Sequence, residues 1–121
     1  MPDRLDSKQA LEVWRGVVTD TVRGAGPDLT ARQTALLLHI YLSDGPHTVR
    51  GLAHALALAK PAVTRGLDAL AALGFVRRKI DGADKRNVLV QRTVKGSVYL
   101  TEFGERIVAQ TGAALNPGAP E

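Results

Sequence analysis

Residues 60–74, KPAVTRGLDALAALG, decide the fold. At about 3.6 residues per turn, Val63, Leu67, Leu70 and Leu73 fall on one stripe, while Pro61, Thr64, Arg65 and Asp68 point the opposite way. The predicted helix therefore has an apolar side that must be buried and a short polar side, basic near its N-terminus. A helix laid into a DNA major groove presents side chains of this kind to base edges. Pro61 suits the first helical turn, since the amide it lacks would have no intrahelical partner there.

Working outward, Val49, Leu52, Ala53 and Leu56 mark a shorter helix upstream, and Ala57-Leu58-Ala59 is a tight connection. Two helices joined by so short a segment make a helix-turn-helix. Downstream, Gly74 can supply the left-handed residue that ends a helix. FVRRKI (75–80) and VLVQR (88–92) then read as two strands separated by DGADKRN (81–87). The fold class is mainly α with a small β-hairpin, a winged helix-turn-helix.

The run TVRGLAHALALAKPAVTRGLDALAALGFVRRKIDGADKRNVLVQRTVKG (48–96) resembles the MarR family of bacterial transcriptional regulators. The family's wing has the form G-hydrophobic-V-x-R-x-x-D-x-x-D-[RK]-R, followed by hydrophobics and T-x-x-G. Gly74, Phe75, Val76, Arg78, Asp81, Asp84, Lys85, Arg86, Thr93 and Gly96 fall in that register. The resemblance extends from residue 30 to about residue 110. It implies a homodimer that binds double-stranded DNA sequence-specifically and regulates transcription, most often as a repressor, with the recognition helix in the major groove and the wing in the minor groove. It implies no cofactor. A protein-docking winged helix with little or no DNA binding is the competing expectation, and an enzyme is a distant third, since no nucleophile elbow or phosphate loop is present.

The site residues follow from the helix and the wing. Lys60, Pro61, Thr64 and Arg65 lie on the exposed side of the helix, where Arg can chelate guanine O6 and N7 and Thr can donate, accept or touch a thymine methyl. Asp68 reads two ways, as an acceptor for cytosine N4 or as an ion-pair anchor for Arg65 or the neighbours of Arg65. Asp84-Lys85-Arg86 matches the family's acid-plus-Arg pair, which implies that Arg86 enters the minor groove with Asp84 orienting it; a narrow A·T-rich groove would favour it electrostatically. Arg77, Arg78 and Lys79 alternate sides of a strand and cannot all face DNA. Arg78 is the family-matched one, either a DNA contact or a structural partner of Asp81 or Asp84.

Charge is segregated accordingly. Residues 60–95 hold nine Lys/Arg against three Asp, whereas the whole chain of 121 residues is only +4. A patch of this kind is the footprint of a polyanion partner. With 45% hydrophobic residues the chain should fold as one modest domain that pairing with a second copy would help. Zero cysteines exclude disulfides, thiol switches and thiolate metal sites. His39, His47 and His54 have no metal-ligand spacing, and His39 inside LLLHIYL reads as a hydrogen-bonded core or pocket-rim histidine. No signal peptide or membrane-length apolar run is visible, which predicts a cytoplasmic protein with no membrane partner.

Residues 1–29 are expected to form a helix from an Ser7 N-cap to about Arg23, a dimerisation element with the stripe Ala10, Val13/Trp14, Val17/Val18 and Thr21/Val22. Residues 30–93 form the DNA-binding domain. It opens with a Thr30–Gln33 capping box and an apolar core helix to Ser43, then a brief strand at His47-Thr48. Residues 94–121 form a last helix to about Thr111, N-capped by Thr93, and a loose tail from Asn116, again a dimerisation element. Three departures from the family pattern stand out. Ala59 replaces the frequent Ser before the recognition helix, losing a cap or phosphate contact. Arg92 replaces Leu before T-x-x-G, removing a buried apolar group and adding a charge near the hairpin. The further helix that completes the dimer and effector pocket in relatives is not expected, so small-molecule sensing should be weak or absent; His39, Arg15 and Arg50 are the only candidates for holding a carboxylate.

Overall fold

A computed structural model describes residues 4–118. The elements run α1 (Ser7–Arg23), α2 (Ala31–Leu42), β1 (His47–Thr48), α3 (Val49–Leu56), α4 (Lys60–Ala72), β2 (Val76–Ile80), β3 (Val88–Arg92) and α5 (Val94–Leu115). The chain forms two compact units, residues 29–99 and residues 1–28 with 100–121. Residues 1–6 read from the sequence as a polar, frayed start and 116–121 as a loose tail; of these, 1–3 and 119–121 lie outside the described residues.

Within 29–99, α2, α3 and α4 surround a core of Leu36, Leu37, Ile40, Leu52, Ala53, Val63, Leu67 and Leu70, closed by Phe75, Val76 and Val90 from the sheet. Each fully buried aliphatic side chain contributes about 1.5–3 kcal/mol over its exposed state. The stripe read from the sequence is the buried face of α4, with Leu73 half-buried at its end. α2 packs on α3, α4 and β3, as its broad apolar surface requires, but its last residue is not covered: Leu42 is 79% exposed. The sheet order is β1-β3-β2, antiparallel throughout, with His47 opposite Val90 and Val76 opposite Arg92.

The caps explain why the helices stop where they do. Thr30 and Gln33 form the expected box, the Thr30 hydroxyl accepting the Gln33 amide at 3.1 Å and the Gln33 side chain accepting the Thr30 amide at 3.0 Å. At α1 the N-cap is Asp6 rather than Ser7, because Asp6 has Gln9 three residues on to close the same reciprocal pair. Both helices of the helix-turn-helix end in a 6→1 and 5→2 hydrogen-bonded turn around a left-handed residue. After α4 that residue is Gly74 (φ +80°), with Phe75 N–H donating to Leu70 O and Gly74 N–H to Ala71 O. After α3 it is Ala57 (φ 52°), where a Cβ is strained.

The start of α5 is held by a compact polar node. Thr93 caps it, accepting the Gly96 amide at 3.0 Å while donating to Gly74 O at 2.7 Å. The Tyr41 hydroxyl donates to Phe75 O at 2.8 Å, with Thr93 O a second acceptor at 3.0 Å, and accepts the Thr93 amide at 2.8 Å. A Cβ at Gly96 would overlap the Tyr41 hydroxyl and Phe75 O, so the glycine of T-x-x-G is there for close approach.

In the other unit, Val13 and Val17 are buried, the Trp14 ring meets Phe103 edge-on at 6.3 Å, and the Gln9 side chain donates to Ala114 O at 3.2 Å. The outer stripe of α1 remains in solvent: Leu11, Trp14, Val18 and Val22 are 70%, 51%, 40% and 65% exposed. α5 continues one turn past Thr111 and ends just before Asn116-Pro117. No helix among the described residues is long and apolar enough to cross a membrane.

Two substitutions test this account by urea unfolding. Ala57→Gly should stabilise by about 0.5–1 kcal/mol, the left-handed penalty less the added unfolded-state freedom. Gly96→Ala should destabilise by about 1–3 kcal/mol through overpacking, and a neutral result would show that the node can rearrange.

Candidate nucleic-acid interface

Burial of Val63, Leu67 and Leu70 turns Lys60, Pro61, Thr64, Arg65 and Asp68 outward, and all five are exposed. Lys60 and Thr64, one turn apart, line an open cleft of about 170 Å³ whose other polar walls are Thr48, Arg50, Arg86 and Asn87. The start of α3, the start of α4 and the tip of the wing therefore converge. Three cations and three hydrogen-bonding side chains face the cleft, and no carboxylate lines it. α4 begins there without a side-chain cap, as Ala59 can supply none. Its N-terminal partial positive charge adds to that of the side chains.

The wing tip is ordered by its two acids. Asp81 accepts the Ala83 amide at 2.9 Å, and Asp84 accepts the Arg86 amide at 3.1 Å and its Nε at 3.2 Å. This holds the Arg86 side chain, 86% exposed, at the cleft edge, in the acid-oriented arrangement that the family pattern implies. Lys85 is exposed at the tip.

The protein partners of Asp68 and Arg78 differ from the ion pairs expected for them. They pair with each other, Arg78 Nη1 donating to Asp68 Oδ1, so that β2 is tied to α4; Arg65, Asp81 and Asp84 are not involved. Asp68 and Arg78 lie ten residues apart, and only the packing of the hairpin against the helix brings them together. Arg92 also departs from expectation. Its Nε donates to Ile40 O at 2.8 Å and its Nη2 to Ser43 O at 2.9 Å, so its charge completes the C-terminal turn of α2. The half-buried His39 imidazole has no hydrogen-bond partner among the described residues, while His47 Nε2 lies 3.0 Å from Ser43 O. No group of three or more potential metal ligands is present among the described residues.

Thr48, Arg50 and Asn87 were not among the site residues read from the sequence. Arg50 carried a signal: a cation in the first turn of a helix opposes the helix dipole, so its presence there needs another reason. Thr48 is an α3 N-cap, accepting the Gly51 amide at 2.9 Å, a role that conceals its place in the cleft wall.

A winged helix with an acid-free basic cleft between recognition helix and wing defines the class. The MarR-family model matches residues 28–87, and the chain belongs to the MarR family of transcriptional regulators. Among solved structures it is similar to a MepR variant from S. aureus (TM-score 0.74, 19% identity, covering 98% of this chain and 87% of that one). A second S. aureus MepR variant, bound to an oligodeoxyribonucleotide, gives a TM-score of 0.74 at 22% identity over 93% of this chain and 79% of its own. A MarR-family regulator from Rhodococcus sp. RHA1 gives 0.65 at 23% identity over 95% and 78%. No curated protein shows a significant sequence match.

The Asp68–Arg78 pair is only partly screened from water, its side chains 57% and 32% exposed. A double-mutant cycle with Asp68→Ala and Arg78→Ala, followed by urea unfolding, should therefore give a coupling of about 0.2–1 kcal/mol. A zero coupling would remove this tie.

Proposed function

We propose that the protein binds duplex DNA sequence-specifically as a homodimer and represses transcription. The observation that carries this reading is the cleft in which Arg50, Lys60 and Arg86 face the same open space with no acid among its lining residues. Solvated surfaces mix charges of both signs; a same-sign concavity edged by a helix N-terminus suits the phosphate backbone. Lys60, Pro61, Thr64 and Arg65 occupy the major groove, Arg65 as a base reader, with Asp68 and Arg78 buttressing the helix from beside it. Arg86 enters the flanking minor groove and Lys85 follows the backbone there. The MepR variant bound to an oligodeoxyribonucleotide, of the same fold, supports DNA as the partner by likeness.

A single winged helix reads few base pairs, and useful specificity comes from two modules about 34–36 Å apart on a palindrome. The stripe of Leu11, Trp14, Val18 and Val22, together with Ile107 and Val108 of α5, supplies an apolar surface suited to a second copy. Residues 1–29 and 94–121 are thus assigned to dimerisation, and 30–93 to DNA. A cytoplasmic location follows from a DNA target in a bacterial-type regulator.

Binding should weaken steeply with salt, each neutralised phosphate contributing a slope of about −0.9 in log K against log salt. A dimer making six contacts should lose about 10³-fold between roughly 50 and 200 mM salt on the same basis. A flat salt titration would instead favour a protein-docking wing. Arg65→Ala should cost about 1–3 kcal/mol on a selected site and relax preference at one position per half-site, whereas Arg86→Ala should reduce the advantage of A·T-rich flanks. Leu11→Asp leaves the fold intact, because Leu11 is already in water, and should convert the dimer to a monomer in sedimentation with loss of palindrome binding. An unchanged oligomer would exclude the α1 stripe from the interface.

A further inference from the structure

The wing is a lever. Its outer edge is β2, its inner neighbour β1 reaches only Leu89 and Val90, and beyond that register Ile80, Lys85 and Arg86 are exposed. Arg86 is six residues from Arg92, about 20 Å at the usual strand rise. A tilt of about 10° at the base would move the tip by about 3 Å, enough to lose a hydrogen bond of normal length. Whatever aims the wing must therefore act at its base.

Two side chains do so, and neither lines the basic cleft. Arg92, the last residue of β3, reaches to the end of α2 and chelates Ile40 O and Ser43 O, its guanidinium lying 5.8 Å from the Tyr41 ring centroid. Tyr41, from the same turn of α2, returns the contact with its hydroxyl on Phe75 O, just before β2, and on the Thr93 amide, just after β3. Both strands are thus fastened to one helical turn. Two charge-assisted bonds to helix-terminal carbonyls resist displacement in a way that an apolar residue at 92 cannot, since dispersion contacts are not directional.

We infer that Arg92 and Tyr41 are positioning residues of the wing, which aim Arg86 at the minor groove by clamping both wing strands to the end of α2 without touching DNA. This rests on the DNA-binding reading above. It turns a position that added a positive charge near the hairpin into one whose guanidinium is bound by the protein's own carbonyls.

The test measures affinity of the full chain for a selected duplex with A·T-rich flanks and for the same core with G·C flanks. The variants are Arg86→Ala, Arg92→Leu, Arg92→Lys, Tyr41→Phe and the double variant Arg86→Ala/Arg92→Leu, each checked for folding by circular dichroism. Arg92→Leu should remove the flank preference to the extent that Arg86→Ala does, about tenfold or more for one charge-assisted contact. The double variant should bind no more weakly than Arg86→Ala alone, and Arg92→Lys, with one compact donor group, should keep part of the preference. Tyr41→Phe, which retains the ring and loses the hydroxyl, should reduce the preference in the same direction. Additive losses in the double variant would mean that Arg92 contacts DNA itself, and folded Arg92→Leu protein with wild-type flank preference would also overturn the clamp. Failure of both Arg92→Leu and Tyr41→Phe to fold would reduce the two residues to a structural role and overturn it equally. If Arg86→Ala leaves the flank preference unchanged, the minor-groove assignment fails together with the clamp; if Arg86→Ala acts and Arg92→Leu does not, only the clamp fails.

Discussion

The polar node around the Tyr41 hydroxyl is the constraint on which residues 29–99 depend. Two chain segments that are remote in sequence, the turn after α4 and the start of α5, present backbone groups to the phenol oxygen that the end of α2 supplies and to one threonine hydroxyl. A part-buried backbone amide or carbonyl without a partner would be costly, and this node satisfies those of Gly74, Phe75, Thr93 and Gly96 together. It also requires a residue without a Cβ at 96, because the helix start must approach Tyr41 and Phe75 closely. The pattern T-x-x-G thereby acquires a mechanical meaning: the cap and the gap in the side-chain layer are both needed to seat the wing.

Electrostatics on this unit divides into charges that hold the protein together and charges left for a partner. Arg78 and Arg92 belong to the first group, one through Asp68 and the other through the carbonyls of α2. Arg86 is intermediate, bound to Asp84 yet largely in solvent, so that its direction is restricted while its outer nitrogens remain open. Arg50 and Lys60 belong to the second group, facing the cleft. A count of cations over residues 60–95 therefore overstates the charge available to a polyanion within that segment, and misses Arg50, which lies outside it.

Stability and geometry are distributed unevenly along the helix-turn-helix. The turn after α4 uses glycine at its left-handed position, whereas the turn after α3 tolerates Ala57 there. The strained turn is the one between the two helices that carry Arg50 and Lys60, and the burial of Leu52, Ala53 and Val63 on either side holds it. Packing on both flanks over-determines the connection, so the local preference of alanine is overridden.

Most of the architecture was legible because it rests on short-range rules. The apolar stripe of 63, 67 and 70, the capping pair Thr30–Gln33, the left-handed stop at Gly74 and the alternation of the hairpin depend on neighbours within a few residues, and periodicity reports them directly. The exposed face Lys60, Pro61, Thr64 and Arg65 follows from the same periodicity, and the order of acid and arginine at 84 and 86 is local as well. What tertiary structure alone decided were the partners of long side chains. Asp68 bonds Arg78, Arg92 bonds the end of α2, and Arg50 faces the same cleft as the wing tip, each relation joining residues that no helical or strand period relates. A flexible arginine reaches several ångströms in any direction, so its sequence neighbours do not limit its choice. Only the packing of the hairpin against α2 and α4 brings one acceptor within reach and leaves the others out of it.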